Sequence, residues 1–177
     1  RARKEATPWE ETVENTYDRY LKLFHDESVF CNNVTHVIAY EEQPWEWCRQ
    51  GRLKWFTHPE INSAARRVWL YMQEIPPGSR SGKHRHMTEE QMLVIQGRGY
   101  DVHDDARWNW EAGDLVSIPA MVEHQHFNAD ADHPVLLLSS MPSVGVGLGL
   151  GGIEQLEDAP EFADSGNAGA ALDKCTQ

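Results

Sequence analysis

The feature of this chain that most constrains its fold is a pair of histidine-containing segments that lie between turn residues. The first runs from Gly78 to Gly97 and reads GSRSGKHRHMTEEQMLVIQG, and the second runs from Gly113 to Asn128 and reads GDLVSIPAMVEHQHFN. Glycine and proline bracket the strand-like stretches in each segment, as is typical of tight turns. The sequence therefore predicts short strands that hold a few polar side chains in fixed positions.

Three histidines and one glutamate in these segments have the spacing of a metal site. Alternate side chains of a strand share a face, so His84 and His86 project in the same direction. Glu90 follows after a short turn, and His124 comes from a later strand. Imidazole and carboxylate together suit iron, manganese, nickel, copper or zinc, whereas calcium and magnesium prefer oxygen ligands. In a chain with nine histidines an HxH pair can arise by chance, but the matching turn residues favour a bound divalent transition metal.

The two segments resemble the motifs of the cupin superfamily, G-x5-HxH-x3-E-x6-G and G-x5-PxG-x2-H-x3-N. The resemblance covers about residues 68–141 and implies an all-β fold, a small jelly-roll or double-stranded β-helix barrel. Met121 replaces a glycine of the second motif, which predicts that this turn does not need a positive φ. Glu89 competes for the carboxylate role, but the motif spacing favours its neighbour. Carried over by position, the resemblance implies four metal ligands: His84, His86, Glu90 and His124.

A narrower resemblance concerns residues 97–128, which are similar to ring-cleaving dioxygenases that act on gentisate and 1-hydroxy-2-naphthoate. The shared feature is an H-x-H-x-N pattern at His124. Those enzymes typically hold ferrous iron with three histidines and lack the glutamate, so Glu90 is a departure from their pattern. It makes the donor set more like that of acireductone dioxygenase or quercetin dioxygenase.

Several residues beside the predicted ligands are candidates for chemistry. His126 lies two residues beyond His124 on the same strand face, which predicts a catalytic acid or base; the alternative is a histidine that only hydrogen-bonds a ligand or the substrate. Arg80 could hold a substrate carboxylate at the rim, or belong to a solvated basic loop. Met92 could form a pocket wall, or simply pack in the core. Arg85 lies between two inward histidines and is predicted to point outward.

The net charge, the apolar runs and the cysteines of the chain indicate which partners and which cellular compartment to expect. The net charge of −12 and the isoelectric point near 5.1 predict no nucleic-acid partner and no anionic membrane partner, because a surface of this sign repels phosphate. No apolar run approaches the roughly 18 residues of a membrane span, and the charged N-terminus is unlike a signal peptide, so we predict a cytoplasmic protein. The three cysteines show no CxxC spacing and are expected to be reduced thiols.

The chain is predicted to be one domain with appended arms. Residues 1–64 are expected to form an N-terminal amphipathic helix and a tryptophan-rich arm that pack on the barrel, 65–142 the barrel core, and 143–177 a glycine-rich connector and acidic tail. Thr7 as N-cap and Glu10 closing a capping box predict the start of the helix. Apolar residues then recur at helical spacing to about residue 25: Trp9, Val13, Tyr17, Leu21 and Phe24.

Alternation and turn residues predict the strands of the barrel. They are expected over residues 67–75, 91–96, 99–103, 107–111, 114–118, 123–127 and 134–140. The tryptophans of residues 40–60 either roof an apolar pocket or cover the end of the barrel. The sequence VGVGLGLGG after Pro142 predicts a flexible connector, and the tail beyond it a short helix with a loose end or an arm that grips a neighbouring subunit. The arms and the large apolar residues outside the motifs predict a homodimer or a multiple of it.

The resemblance and the predicted site together indicate a cupin dioxygenase. The expected cofactor is iron(II), although manganese, nickel, zinc or copper would accept the same donors. The expected substrates are dioxygen and a small aromatic or enolic molecule that chelates through two oxygens and is cleaved at a carbon–carbon bond. One alternative is a non-oxidative isomerase, decarboxylase or lyase in which the metal is a Lewis acid. The other is a cupin that binds a small ligand without chemistry.

Overall fold

The structure is a computed structural model that describes residues 15–58, 61, 63 and 65–164. The described residues form two separate units, divided between Thr35 and His36. In the first unit, helix α1 spans Thr16–Asn32, and the Asn15 side chain caps it by accepting a hydrogen bond from the Asp18 backbone N–H. Among the described residues, every helix is too short or too polar to cross a membrane.

The apolar stripe predicted from the sequence continues into α1. Tyr17, Leu21 and Phe24 are 70%, 59% and 85% exposed, and none of the residues described in this helix is buried. The predicted cap at Thr7, the capping-box residue Glu10 and the first stripe residues, Trp9 and Val13, lie outside the described residues. The packing of the helix on the barrel therefore stays a prediction.

The second unit is built from short strands. A 3-10 turn at Tyr40–Glu42 precedes β1 (Glu46–Cys48), β2 (Gly51–Thr57), β3 (Val68–Ile75), β4 (Lys83–His86), β5 (Glu90–Gln96), β6 (Arg98–His103), β7 (Ala106–Glu111), β8 (Leu115–Ile118), β9 (His124–Asn128) and β10 (Val135–Pro142). These are followed by α2 (Val144–Gly147), β11 (Ile153–Glu157) and α3 (Pro160–Asp164). Every strand predicted by alternation is present, with ends that differ by no more than two residues.

The strands form two antiparallel sheets, one in the order β1-β2-β3-β10-β5-β8 and the other in the order β11-β4-β9-β6-β7. The predicted all-β jelly-roll barrel is confirmed by this topology. The predicted turns at Gly78, Gly97 and Gly113 have positive φ values of 65°, 92° and 97°, a region that glycine enters without strain. Gly78 lies between β3 and β4, Gly97 joins β5 to β6, and Gly113 lies between β7 and β8.

An apolar core lies between the sheets and does not depend on the histidines. In β10, Val135 and Leu137 are completely buried while their neighbours in sequence are half-buried, as strand alternation requires. Each such side chain contributes about 1.5–3 kcal/mol by leaving water. Substitutions at the histidines should therefore leave the barrel folded. The core cluster consists of Ile75, Met92, Val94, Trp110, Val135 and Leu137.

The flexible connector predicted over residues 144–153 has regular structure at both ends, and the tail predicted beyond it begins within a strand. Val144–Gly147 form one helical turn, and β11 pairs antiparallel with β4. The backbone polar groups of β4 would otherwise lack partners on that side, and β11 provides them. The Gly152 carbonyl also accepts a hydrogen bond of 3.1 Å from the backbone N–H of Met87. The segment is therefore part of the second sheet, next to the strand that carries His84 and His86.

The tryptophan-rich region contributes two strands that alternation did not predict, β1 and β2. Trp55 on β2 packs on Tyr71 of β3, with 4.8 Å between ring centroids, and lies edge-on to Trp69. The same tryptophan lines a hollow of about 420 Å³ with Pro44 and His58. Trp55 thus packs on its own sheet and lines a small hollow, and the role of the tryptophans as a pocket roof or as a cover of the barrel end stays a prediction.

Candidate metal centre

Three strands bring the predicted ligands to one point inside the barrel. His84 and His86 occupy alternate positions of β4 and face inward, His124 is the first residue of β9 and pairs with His84, and Glu90 is the first residue of β5. The exposed fractions of His84, His86, Glu90 and His124 are 5%, 2%, 1% and 0%. Polar side chains this deeply buried require partners.

The donor atoms of these residues are close enough to share one ion. One atom from each of the four lies within 4.8 Å of the others. His86 Nε2 is 3.1 Å from Glu90 Oε2, and His124 Nε2 is 4.0 Å from the same oxygen. Ligand bonds to a transition metal are about 2.0–2.2 Å long, so donors around one ion lie up to about 4.4 Å apart. The cluster could therefore hold a divalent metal after small side-chain adjustments.

Backbone carbonyls fix the orientation of two of the imidazoles. His86 Nδ1 is 2.7 Å from the Thr88 carbonyl oxygen, and His124 Nδ1 is 2.9 Å from that of Val122. A carbonyl can only accept, so each Nδ1 carries the proton and each Nε2 has its lone pair free. Both lone pairs are directed toward Glu90. Metal-binding histidines are typically held in this way through the nitrogen that does not bind the metal.

Unpartnered buried atoms indicate that a cation belongs in the cluster. His84 Nδ1 and His124 Nε2 are buried without a hydrogen-bond partner, which costs about 1–3 kcal/mol for each atom. His86 Nε2 and Glu90 Oε2 face one another as two electron-pair donors unless a proton or a metal ion lies between them. A divalent ion would satisfy all of these atoms together, so the residues present fit a metal.

The protonation states also suit metal binding. Burial lowers the pKa of His84 to about 2 and that of His124 to about 4, with the charge of His126 as a further cause for His124. Burial alone would raise the pKa of Glu90, but its close contact with the His86 ring and the charge of His126 hold it at about 2. Near neutral pH the two imidazoles are neutral and the carboxylate is ionised. Those are the forms that bind a metal.

Tyr71 positions the carboxylate of Glu90, a role that sequence analysis did not predict. Its hydroxyl donates a hydrogen bond of 2.9 Å to Glu90 Oε1, which leaves Oε2 for the metal side. Burial and the charge of Glu90 raise the pKa of Tyr71 well above its ordinary value, so the hydroxyl stays protonated. Tyr71 lies on β3, which pairs with neither β4 nor β5. Local spacing therefore gave no signal for it.

A second buried carboxylate, Asp101 on β6, is hydrogen-bonded to three side chains beside the cluster, among them His126. Asp101 accepts hydrogen bonds from Trp110 Nε1 at 2.8 Å, His126 Nδ1 at 2.9 Å and His103 Nε2 at 3.2 Å. Burial opposes its ionisation, but the charge of His126 and the hydrogen bonds hold the pKa of Asp101 below its ordinary range. Sequence analysis missed Asp101 and His103. The available signal was their two-residue spacing, which matches that of His124 and His126 on the adjacent strand.

His126 lies beside the candidate ligands, with its ring centroid 5.7 Å from that of His124. It is completely buried, and its backbone N–H donates to the Ser81 hydroxyl. Burial opposes protonation of His126, but the charge of Asp101 and its hydrogen bond outweigh this effect and raise the pKa of His126. Asp101 thus holds the imidazole in one orientation, which is what an acid or base beside a metal requires.

The other predicted site residues are placed differently. Arg80 is exposed and lies next to the inward-facing Ser81, and Met92 is completely buried in the core cluster. Glu89 is exposed, whereas its neighbour belongs to the cluster. Arg85 points outward as predicted, with ion pairs to Glu154 at 2.6 Å and Glu123 at 3.5 Å. The structure therefore brings none of Arg80, Met92 and Glu89 into the ligand cluster.

The prediction that the turn at Met121 needs no positive φ is wrong, because its φ is 67°. The backbone N–H of Met121 donates a hydrogen bond of 2.8 Å to the His86 carbonyl, and this contact requires the left-handed turn. A residue other than glycine pays about 1–3 kcal/mol for this conformation. The Met121 side chain is 55% exposed, so it avoids a clash by extending into solvent. The turn keeps the geometry expected of a glycine although the glycine is absent.

Comparison with known proteins agrees with this geometry. Residues 71–141 match the family model described as a cupin domain. This part of the chain is a cupin domain. Over 80 residues the chain is 30% identical to a gentisate 1,2-dioxygenase from a Ralstonia species, an alignment that covers 45% of this chain and 22% of that protein. The chain thus spans only about a fifth of the length of this curated relative.

Solved structures share the fold of the cupin domain at low identity. A polyketide cyclase from Streptomyces resistomycificus superimposes with a TM-score of 0.54 at 17% identity, over 62% of this chain and 80% of that one. A salicylate 1,2-dioxygenase from Pseudaminobacter salicylatoxidans gives a TM-score of 0.52 at 10% identity, over 80% of this chain and 38% of that one. At these identities the likeness shows the fold alone. The predicted resemblance to the cupin superfamily is confirmed for residues 71–141, which match the cupin-domain model.

A cavity of about 520 Å³ opens between β7 and β8, the facing edges of the two sheets of the cupin domain. Three of its wall residues contact the candidate metal centre. The His103 side chain is hydrogen-bonded to Asp101, and its ring centroid is 6.3 Å from that of His124. The Val122 carbonyl accepts a hydrogen bond from His124 Nδ1. Trp110 Nε1 donates a hydrogen bond to Asp101. The cavity and the cluster thus share neighbouring residues, because lining residues of the cavity hydrogen-bond to Asp101 and His124.

Replacing Asp101 with asparagine should destabilise the cupin domain by about 2–4 kcal/mol at pH 7, because His126 and His103 lose a buried anionic partner. The folded-state pKa of Asp101 lies below its unfolded value near 3.8. Its contribution is therefore complete above about pH 4 and is lost as the pH falls further. Urea unfolding of the metal-free protein at several pH values would measure this. The exposed Asp105 provides a matched control as Asp105→Asn, and equal stability of parent and Asp101→Asn at pH 7 would contradict the assigned role.

Proposed function

We propose that this protein is an iron(II)-dependent dioxygenase that cleaves a carbon–carbon bond in a small aromatic or enolic substrate chelated through two oxygens. The observation that carries the metal part is the buried donor set, in which backbone carbonyls orient His86 and His124 toward Glu90. The reaction part is supported by the local similarity to a gentisate 1,2-dioxygenase. The adjacent cavity has a volume within the range of about 300–1,000 Å³ that small-molecule sites occupy.

In the proposed reaction one carbon–carbon bond of the substrate breaks and both atoms of dioxygen enter the product, so no external reductant is needed. His84, His86, Glu90 and His124 would hold the iron. When bound, ferrous iron would supply open coordination positions and the redox chemistry that the reaction of an organic molecule with dioxygen requires. The apolar core beneath the site would exclude water.

His126 is assigned to proton exchange with the substrate. Its Nδ1 is engaged by Asp101, which leaves Nε2 as the nitrogen available to accept the proton of a substrate hydroxyl and return it to the product. Asp101 would act through His126 by fixing the orientation of its ring. Because His126 is not among the clustered donors, its role can be separated experimentally from that of the metal ligands.

A second candidate is a non-oxidative metalloenzyme such as an isomerase, decarboxylase or lyase. The donor set of three histidines and one glutamate is compatible with it, because these donors accept several first-row metals. In that case the ion would act only as a Lewis acid. A cupin that binds a small ligand without reaction is the remaining alternative.

Oxygen uptake separates these candidates. The protein would be purified without oxygen, loaded with ferrous iron, and supplied with hydroxylated aromatic compounds and enols in an oxygen electrode. The proposal expects one dioxygen consumed for each substrate molecule cleaved. Product formation without oxygen uptake would identify the non-oxidative class, and binding without any product would identify the ligand-binding class. Parallel loading with manganese, nickel, zinc and copper would determine which metal supports turnover.

The assembly and location of the protein stay predictions. We propose a homodimer or a multiple of it, and light scattering in the micromolar range should give at least twice the chain mass of 20.2 kDa. A monomer at all concentrations would contradict this. The cytoplasmic location and the lack of nucleic-acid and membrane partners also rest on sequence alone.

A further inference from the structure

We infer that the substrate carries no carboxylate, so that the cavity between β7 and β8 selects uncharged aromatic or enolic molecules over aromatic acids. This inference rests on the proposed function and specifies its substrate class. It separates this protein from the gentisate and salicylate dioxygenases that it resembles in sequence or fold, because both of the substrates they are named for are aromatic carboxylates. The chemistry of the cavity walls supports this inference.

The walls of the cavity suit a flat apolar molecule. Its polar lining residues are His103, Asn109 and Ser117 together with two carboxylates, Asp104 and Asp114. Among the described residues, no lysine or arginine lines it. A flat ring can stack on tryptophan or contact aliphatic side chains here, and hydroxyl groups have polar partners. The apolar lining residues are Trp108, Trp110, Leu115, Val116, Pro119 and Val122.

The basic residues of the first motif are committed elsewhere. Lys83 pairs with Glu123 at 3.0 Å, and Arg85 pairs with Glu154 at 2.6 Å. Arg80, the residue predicted to hold a substrate carboxylate, has an exposed side chain and does not line the cavity. Recognition of a carboxylate in a partly buried site normally uses arginine or another cation. An aromatic acid would instead lie next to the exposed carboxylates of Asp104 and Asp114, and the like charges would repel it.

The cavity also lies close to the candidate metal centre, so the charge of the cavity walls affects which substrates can bind there. His103 and Trp110 line it and bond directly to Asp101, and the Val122 carbonyl orients His124. A substrate that reaches the cluster from this side places its ring in the cavity. Ser117 and Asp114, which line the cavity, would then be neighbours of the ring.

Two probes of nearly equal shape test the inference, 3,4-dihydroxybenzamide and 3,4-dihydroxybenzoate. Both keep two neighbouring hydroxyl groups, and they differ by one negative charge. Binding to zinc-loaded protein would be measured by calorimetry, because zinc has no redox chemistry and the readout is independent of turnover. We expect the amide to bind at least about tenfold more tightly than the acid. Equal affinity, tighter binding of the acid, or failure of both probes to bind would overturn the inference.

A lysine introduced into the cavity wall tests whether the charge of the wall causes the preference for the amide. Ser117 is exposed on the edge strand β8 and donates only to Gln91 Oε1, so substitution there should leave the barrel intact. Ser117→Lys should reduce or reverse the preference for the amide, whereas Ser117→Gln, of similar length but uncharged, should leave it unchanged. The same preference in all three proteins would show that the cavity does not receive the ring, and the inference would fall.

The outcome is distinguishable from failure of the proposed function. Oxygen uptake tests the reaction, whereas the binding preference is measured with an ion that cannot support it. A protein that prefers the amide but consumes no oxygen with any substrate would retain the inferred ligand class and lose the dioxygenase assignment. A protein that consumes oxygen with an aromatic acid and binds both probes equally would retain the dioxygenase assignment and lose the ligand class.

Discussion

Replacing His86 or His124 with alanine is expected to reduce bound metal from near one equivalent to almost none. Each residue supplies a buried nitrogen to the cluster, and its removal would leave three donors around a widened cavity. Structural or catalytic transition-metal sites need three or four well-placed protein donors, so loss of one sharply weakens binding. Plasma mass spectrometry of protein that has been loaded with iron or zinc and then desalted would measure the change.

The matched control for these variants is His133→Ala. His133 is 75% exposed on its side chain and lies outside the cluster, so its removal should leave the metal content unchanged. Circular dichroism should show a folded barrel in each variant, because the core cluster of Val135, Leu137 and their neighbours is apolar. If the double variant of His86 and His124 binds metal as well as the parent, the assigned centre is wrong.

His126→Ala is expected to lower turnover by about a hundredfold or more while metal content stays at the parent level, the effect of losing one acid or base. The ring lies beside His124 but is not one of the clustered donors. The measurement is the initial rate of oxygen uptake with the best substrate of the screen, together with metal analysis of the same sample.

A second variant separates chemistry from packing at this position. His126→Gln keeps an amide that can donate to Asp101, but it cannot exchange a proton near neutral pH. If it loses activity like the alanine variant while unfolding at the parent temperature, the proton role is supported. Unchanged activity in both variants would show that His126 contributes only to packing.

Local patterns predicted the strands and the ligand cluster because both depend on short-range spacing. The HxH pair of β4 faces inward by strand alternation alone, and turn glycines mark the end of β5 and the approach to β8. His124 is remote in sequence from the HxH pair, but it is the first residue of β9, and the sequence predicts a strand over residues 123–127. Such features can be predicted without knowledge of which strands pair.

Features that depend on pairing across the sheets could not be predicted in this way. Tyr71 and Asp101 contact the site from β3 and β6, and neither has a spacing relation to the first histidine motif. The strand at Ile153–Glu157 forms because β4 offers a free edge, which is a property of the folded sheet. The left-handed turn at Met121 is set by a hydrogen bond to the distant His86 carbonyl, and the absence of glycine concealed it.

The most direct test of the central claim is a crystal structure of metal-loaded protein with anomalous scattering recorded at the absorption edge of the metal. The account predicts one strong peak inside the barrel, about 2.0–2.2 Å from one atom each of His84, His86, Glu90 and His124. A peak elsewhere in the molecule, or no peak at this position in protein that retains metal in solution, would contradict it.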